Sequence, residues 1–218
     1  MTIALAAFVR ALRSGEDDPV GDDARWVDRC LAGERRAFDA LYRRHASAVY
    51  GRLTRLIGRS ADTEDLVQQV FLEAFRSLGS FRGDAAFGTW LYRITVHVAM
   101  GALRRQRRRP SVAVAPDEMD ARAGGELSPE AAAGERELYA LALAHLDGLK
   151  PDQRVAFVLR HVECLSLDEI GAMVGATAPA VGARVKKAER VLVDRIARAE
   201  KSAARRRNLK ESDETRMS

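Results

Sequence analysis

Residues 60–109 read SADTEDLVQQVFLEAFRSLGSFRGDAAFGTWLYRITVHVAMGALRRQRRR. In the first half Leu66, Val67, Val70, Phe71, Ala74 and Phe75 recur at helical spacing. Asp65, Gln68, Gln69, Glu73 and Arg76 fill the other side, which predicts an amphipathic helix. Residues 80–87, SFRGDAAF, read as a loop broken by Gly83. A second helix is expected from near Thr89, with Leu91, Ile94, Val98 and Ala102 as its buried stripe. Its other side carries Trp90, Arg93, His97, Gly101, Arg104 and Arg108. An aromatic and a line of arginines on one face can stack bases and neutralise phosphates together. Singly, each has a plainer reading: a Trp in a helix is usually core, and arginines suit the negative end of a helix dipole. Jointly, Arg104, Arg105, Arg107, Arg108 and Arg109 crowd into little more than one turn, and such crowding is destabilising without an anionic partner.

Aromatic residues make up 6% of the 218 and charged residues 31%, with a formal net charge of +5. Few prolines, much Ala, Leu, Arg and Glu, and no sustained alternation predict an all-α chain. The positive balance permits a polyanionic partner. Cys30 and Cys164 are the two cysteines, a usage that fits a reducing cytoplasm. His161 and Cys164 form an H-x-x-C pair, but with no second pair the pattern reads as a buried thiol rather than zinc. No metal or cofactor is implied. No apolar run reaches the ~20 residues of a membrane span, and the first residues lack the layout of a signal peptide.

Residues 1–24 read as an N-terminal extension. Ile3, Leu5, Phe8, Val9 and Leu12 allow a short amphipathic helix, followed by an acidic, turn-rich lead-in; disorder is the first expectation and docking on a partner the second. Residues 25–109 form one helical domain. Trp26, Val27, Cys30 and Leu31 make a short helix stopped at Gly33, and residues 37–57 a longer one ending at Gly58, with His45 as a core or boundary histidine. Ser60 or Asp62 is placed to cap the helix after it.

Residues 110–134 change material, with Pro, Gly and acidic residues throughout, and read as a flexible linker. Residues 135–199 form a second helical domain. Leu138, Leu141, Ala142, His145 and Leu149 are expected on one buried face, and Pro151 opens a helix with Val155, Val158, Leu159 and Val162 inward. Ser166 to Glu169 spell a capping box, Gly175 turns the chain, and Pro179 starts a last helix with Val181, Val185, Ala188, Leu192 and Ile196 inward. That is a helix-turn-helix arrangement. Arg184, Lys186, Lys187 and Arg190 lie on the outer side, placed to reach phosphates or guanine edges, or serving only solubility. Residues 200–218 form a basic polar tail expected to fray, whose arginines add non-specific DNA attraction or nothing.

TEDLVQQVFLEAFRSL followed by SFRGDAAFGTWLYRITVHVAMGALRRQRRR resembles conserved region 2 of the extracytoplasmic-function (ECF) sigma factors of bacterial RNA polymerase, in the sigma-70 family. LKPDQRVAFVLRHVECLSLDEIGAMVGATAPAVGARVKKAERVL resembles region 4 of the same group. The resemblance implies a non-enzymatic, cytoplasmic transcription initiation factor of two small helical domains. It implies that Asp65, Gln68, Gln69 and Leu72 dock on a coiled coil of core RNA polymerase. Phe81, Arg82, Phe87, Trp90, Arg93, His97, Arg104, Arg105 and Arg108 would bind the −10 element, the loop at 80–87 holding a base flipped from the single-stranded non-template strand. Read as residues alone, Phe81 and Phe87 serve equally as hinge core. Arg184, Lys186, Lys187 and Arg190 would bind the duplex −35 element, and the linker would thread the polymerase channel. An anti-sigma factor is the further partner implied. The chain departs from the family with His97 for a common Asn, Gly101 for Asp or Asn, Gly182 and Ala183 for a basic and a small polar residue, and Glu189 for a basic one.

Two rivals stand beside this reading. A free-standing helix-turn-helix regulator leaves the Asp65–Leu72 face and the 80–87 loop without a role. A nucleic-acid-processing enzyme needs converging acids or ligands, whereas His45, His97, His145 and His161 are scattered.

Overall fold

The computed structural model describes the backbone of residues 3–13, 23–58, 62–108 and 129–217, which is helical with no strand among the described residues. An N-terminal group comprises α2 (Asp23–Leu31), α3 (Arg35–Ile57), α4 (Thr63–Ser77) and α5 (Phe87–Arg108). A C-terminal group comprises α6 (Pro129–Leu146), α7 (Pro151–Phe157), α8 (Leu167–Val174) and α9 (Ala178–Met217). The first helix, α1 (Ile3–Arg13), belongs by position to the N-terminal side.

In the N-terminal group α3 is the central element, with α2, α4 and α5 packed on it. Leu41, Val49 and Leu53 of α3 are fully buried. Gly33 and Gly58 end α2 and α3 at positive φ, 88° and 96°, conformations a Cβ would strain. His45 is buried, as expected, and the reason is visible: its Nε2 lies 2.9 Å from the Asp23 carboxylate. Asp23 is thus the first residue of α2, not part of a loose lead-in. Before α4 the Asp62 carbonyl accepts the Leu66 N–H, with no side-chain cap from Asp62; Ser60 lies outside the described residues.

In the C-terminal group the capping box forms as read. The Ser166 hydroxyl accepts the Glu169 N–H at 3.2 Å, and the Glu169 carboxylate accepts the Ser166 N–H at 2.8 Å. Gly175 is left-handed after α8, and a Cβ on Gly171 would stand 2.5 Å from the Ala176 carbonyl oxygen. Both glycines let the chain reverse tightly between α8 and α9. Val181, Val185, Ala188 and Leu192 are buried under α9 as its spacing predicts.

Several expectations are corrected. The helix read from Pro151 onward is α7 followed by a π turn, Val158–Val162, which brings Phe157 as well as Val158 fully inside. Leu138 and Leu141 of α6 face outward, 58% and 53% exposed, while Ala142, Leu143 and Leu146 are buried. Apolar residues surround α6 there, so periodicity alone does not fix its buried side. The helix also begins at Pro129, inside the stretch read as linker, of which 110–128 lie outside the described residues. At the other end α9 runs on as helix to Met217 where a fraying tail was expected. Cys164 is exposed, not buried: it stands outside the packed core, at positive φ (58°), two residues past the end of the π turn. The N-terminal segment also departs from the expected disorder: α1 buries Leu5, Phe8, Val9 and Leu12 and packs on α6, the π turn and α9.

The two groups meet where α3 ends. Arg154 of α7 donates from Nε to the Arg55 carbonyl (2.7 Å) and from Nη2 to the Thr54 carbonyl (2.8 Å). Its Nη1 donates to Asp147 at 2.6 Å. A cation on the last carbonyls of a helix is favoured by the dipole, and the planar fork reaches both at once. Burial pushes the Arg154 guanidinium down from its usual range, with Asp147 opposing that shift. Beside it the fully buried Arg55 lies 3.7 Å from Glu163 of the C-terminal group.

Candidate nucleic-acid and protein interface

The helix α4 presents Asp65, Gln68 and Leu72 to solvent on one face. Leu72 is 48% exposed and Phe75, expected inside, is 53% exposed. Phe75 covers only the edge of Phe38, ring centroids 4.9 Å apart. The face is therefore apolar as well as polar, with Tyr42 adjoining through Phe71. Gln69 is half-buried. Its amide N–H donates to Glu73 at 3.1 Å and its carbonyl oxygen accepts from Arg105 at 3.4 Å. The Asp65–Leu72 face and the arginine end of α5 are thus continuous, a join that a spacing of 36 residues hides from the sequence.

Between α4 and α5 a short 3-10 turn, Leu78–Ser80, leads into the loop. Gly83 takes φ 77°, and Arg82 and the residues up to Ala86 are exposed. Behind the loop stands an aromatic cluster. Phe81 lies 5.9 Å from Phe87 and 5.5 Å from Trp90, and Phe87 lies 5.6 Å from Trp90. Phe87 is buried against His45, whereas Phe81 and Trp90 are half-buried. These three rings are brought together because α5 begins at Phe87, two residues before the expected start, so that Phe87 and Trp90 lie one turn apart.

Along α5, Arg93, His97, Arg104 and Arg105 are exposed, while the side chain of Arg108 lies outside the described residues. The buried side is broader than the predicted stripe. Tyr92, Val96, Ala99 and Leu103 join Leu91 and Val98, because α3 and α4 pack on α5 together. Arg93 also faces the second group. The Ser166 hydroxyl and N–H hold the Glu169 carboxyl below its usual range, and Arg93 adds to that effect across the boundary.

On α9, Lys186, Lys187 and Arg190 are exposed and Arg184 is half-exposed. Glu189 accepts from His161 Nε2 at 2.8 Å. That bond ties its carboxylate to the domain's own π turn and away from the cationic side. Gly182 lies against α8, where a Cβ would meet Leu167 Cδ1 at 3.4 Å, an ordinary contact that does not itself require glycine. The Glu189 pairing was not visible in the sequence, where the residue read only as a missing cation. Among the described residues no three His, Cys, Asp or Glu side chains converge as metal ligands would, and no helix is long and apolar enough to cross a membrane.

The family model described as Sigma-70 region 2 matches residues 41–109, and that described as Sigma-70, region 4 matches residues 140–192. The ECF RNA polymerase sigma-E factor of Haemophilus influenzae is 34% identical over 180 residues, covering 80% of this chain and 95% of the relative. That of Escherichia coli K12 is 35% identical over 176 residues, covering 78% and 92%. The solved structure of CnrH in complex with the cytosolic domain of CnrY is 26% identical, with a TM-score of 0.49 over 80% of this chain and 97% of that one.

Proposed function

The chain belongs to the ECF sigma factors of the sigma-70 family, initiation factors and not enzymes, and from that membership we propose how its surfaces divide promoter opening. The α4 face of Asp65, Gln68, Gln69 and Leu72 docks on core RNA polymerase. Its glutamines hydrogen-bond without the desolvation cost of an unpaired buried charge, and Leu72 supplies apolar area. The loop at 80–87 and the exposed face of α5 hold the non-template strand of the −10 element. Trp90 and Phe81 offer ring faces to bases, with Phe87 as the wall behind them. Arg82, Arg93, Arg104, Arg105 and Arg108 neutralise phosphates, and His97 donates to a base edge. Capturing an unstacked base offsets the few kcal/mol that unstacking costs and traps the melted duplex. On α9, Arg184, Lys186, Lys187 and Arg190 hold the −35 duplex. The factor works in the cytoplasm, and an anti-sigma factor is its expected antagonist.

The observation that carries this reading is the continuity of the Asp65–Leu72 face with the α5 arginines through the Gln69–Arg105 bond, next to the Phe81–Phe87–Trp90 cluster. One surface thereby offers protein docking and strand capture side by side. The test is permanganate probing of unpaired thymines in a complex of core polymerase, this chain and a cognate promoter. Trp90→Ala with Arg93→Ala should leave the complex assembled and remove the −10 reactivity. Unchanged reactivity contradicts the strand-binding assignment.

A further inference from the structure

The helix α1 sits across the boundary between the two groups. In sequence it is joined to α2 by the nine residues 14–22, yet its apolar side is seated on the C-terminal group. Leu5, Phe8, Val9 and Leu12 fall at i, i+3, i+4 and i+7, and each is at most 7% exposed. Phe8 meets the Phe157 ring edge-on at 6.0 Å and the His145 ring at 6.2 Å. Ile3, off that stripe, is 89% exposed. The groove between α6, the π turn and α9 is thus a receptor for an amphipathic helix, and its occupant comes from the other end of the chain.

We propose that α1 is a detachable strap: it fills the apolar groove of the −35-reading domain in the free chain and leaves it when the two domains engage one promoter. The proposal rests on the division of labour given above. Its geometry follows from lengths. Elements named −10 and −35 stand about 25 base pairs apart, roughly 85 Å of duplex at ~3.4 Å per pair. In the free chain the two groups touch where Arg154 meets the end of α3, and a bundle of about 80 residues is about 30 Å across, so their centres lie about 30 Å apart. Reading both elements at once therefore moves the groups apart by about 40 Å or more, whereas the tether from α1 to α2 spans at most ~35 Å fully extended. One end must let go, and α2 is fixed to α3 through the Asp23–His45 bond and buried Val27, so the strap is the end that releases. The groove is then covered in the free chain and open to an incoming helix only in the promoter complex.

The test is amide hydrogen exchange on the full chain, free and in a complex of core polymerase and promoter. In the free chain the α1 amides should be protected. Phe8→Asp should speed their exchange by about tenfold or more, Phe8→Leu should restore protection, and Ile3→Asp should change little. In the promoter complex the wild-type α1 amides should exchange as fast as those of the free Phe8→Asp chain. Protection of α1 that persists unchanged in the complex overturns the release. Exchange indifferent to Phe8→Asp in the free chain overturns the docking. If no complex forms at all, the promoter reading has failed and release falls with it, while the free-chain variants still decide the docking.

Discussion

Removing the Arg154 guanidinium should loosen the join between the two halves of the molecule. The side chain gives one charge-assisted hydrogen bond to the Arg55 carbonyl, one to the Thr54 carbonyl and one to Asp147. Bonds of this kind contribute about 1.5–3 kcal/mol each, and the low end applies because Arg154→Ala also relieves the burial of the guanidinium itself. Asp147 is 45% exposed, so its pairing adds less than about 1 kcal/mol. The expected loss is about 3 kcal/mol, which at a slope near ~2 kcal/mol per molar urea lowers the midpoint by about 1.5 M. Urea unfolding followed by helical circular dichroism reads that number, and small-angle scattering should show a larger radius of gyration. Arg154→Lys restores the charge but not the planar fork, so it should recover only part of the loss. A loss under about 0.5 kcal/mol with an unchanged radius refutes the assignment of Arg154 as the bond between the groups.

Other outcomes follow from the same geometry. Asp65→Ala with Gln69→Ala should weaken core-polymerase binding in a pull-down while leaving the urea midpoint within about 0.5 kcal/mol of wild type, because neither side chain is in the core. Arg184→Ala with Lys187→Ala should lower affinity for −35 duplex and flatten the dependence of log K on log salt by about 2, measured by fluorescence anisotropy across a salt series. Burial, followed by the nearby Arg195, holds the His145 imidazole below its usual 6.5. The unfolded chain therefore takes up a proton that the folded chain resists, and stability is lost as pH falls below about 6.5, levelling once the folded imidazole also protonates. Comparing urea midpoints at pH 7.5 and 5.5 for wild type and His145→Gln should show a smaller acid loss in the variant.

Much of the site was legible because it is local. The α4 and α5 helices, the Gly83 break and the Ser166–Glu169 capping box are patterns within a few residues, and spacing suffices to read them. The stop at Gly33 and the turn at Gly175 were legible for the same reason. What escaped is what depends on a distant partner. Arg154 reads as one more helix charge until the α3 terminus, 99 residues earlier, is placed against it. Glu189 reads as a lost cation until His161 binds it. The apolar stripe of α1 was visible, but no local signal says that its groove lies between α6, the π turn and α9. On α6 the failure has another cause: Leu138, Leu141, Ala142, Leu143 and Leu146 leave no polar side by which to orient the helix, so packing alone decides that 138 and 141 face out.

Run-off transcription with purified core polymerase on a library of genomic promoter fragments tests the central assignment most directly. Added alone to core, this chain should yield discrete transcripts from a subset of fragments sharing −10 and −35 sequences, and the Asp65→Ala, Gln69→Ala chain should yield fewer. Core that binds the chain yet starts no RNA from any fragment, or that never binds it, contradicts the assignment.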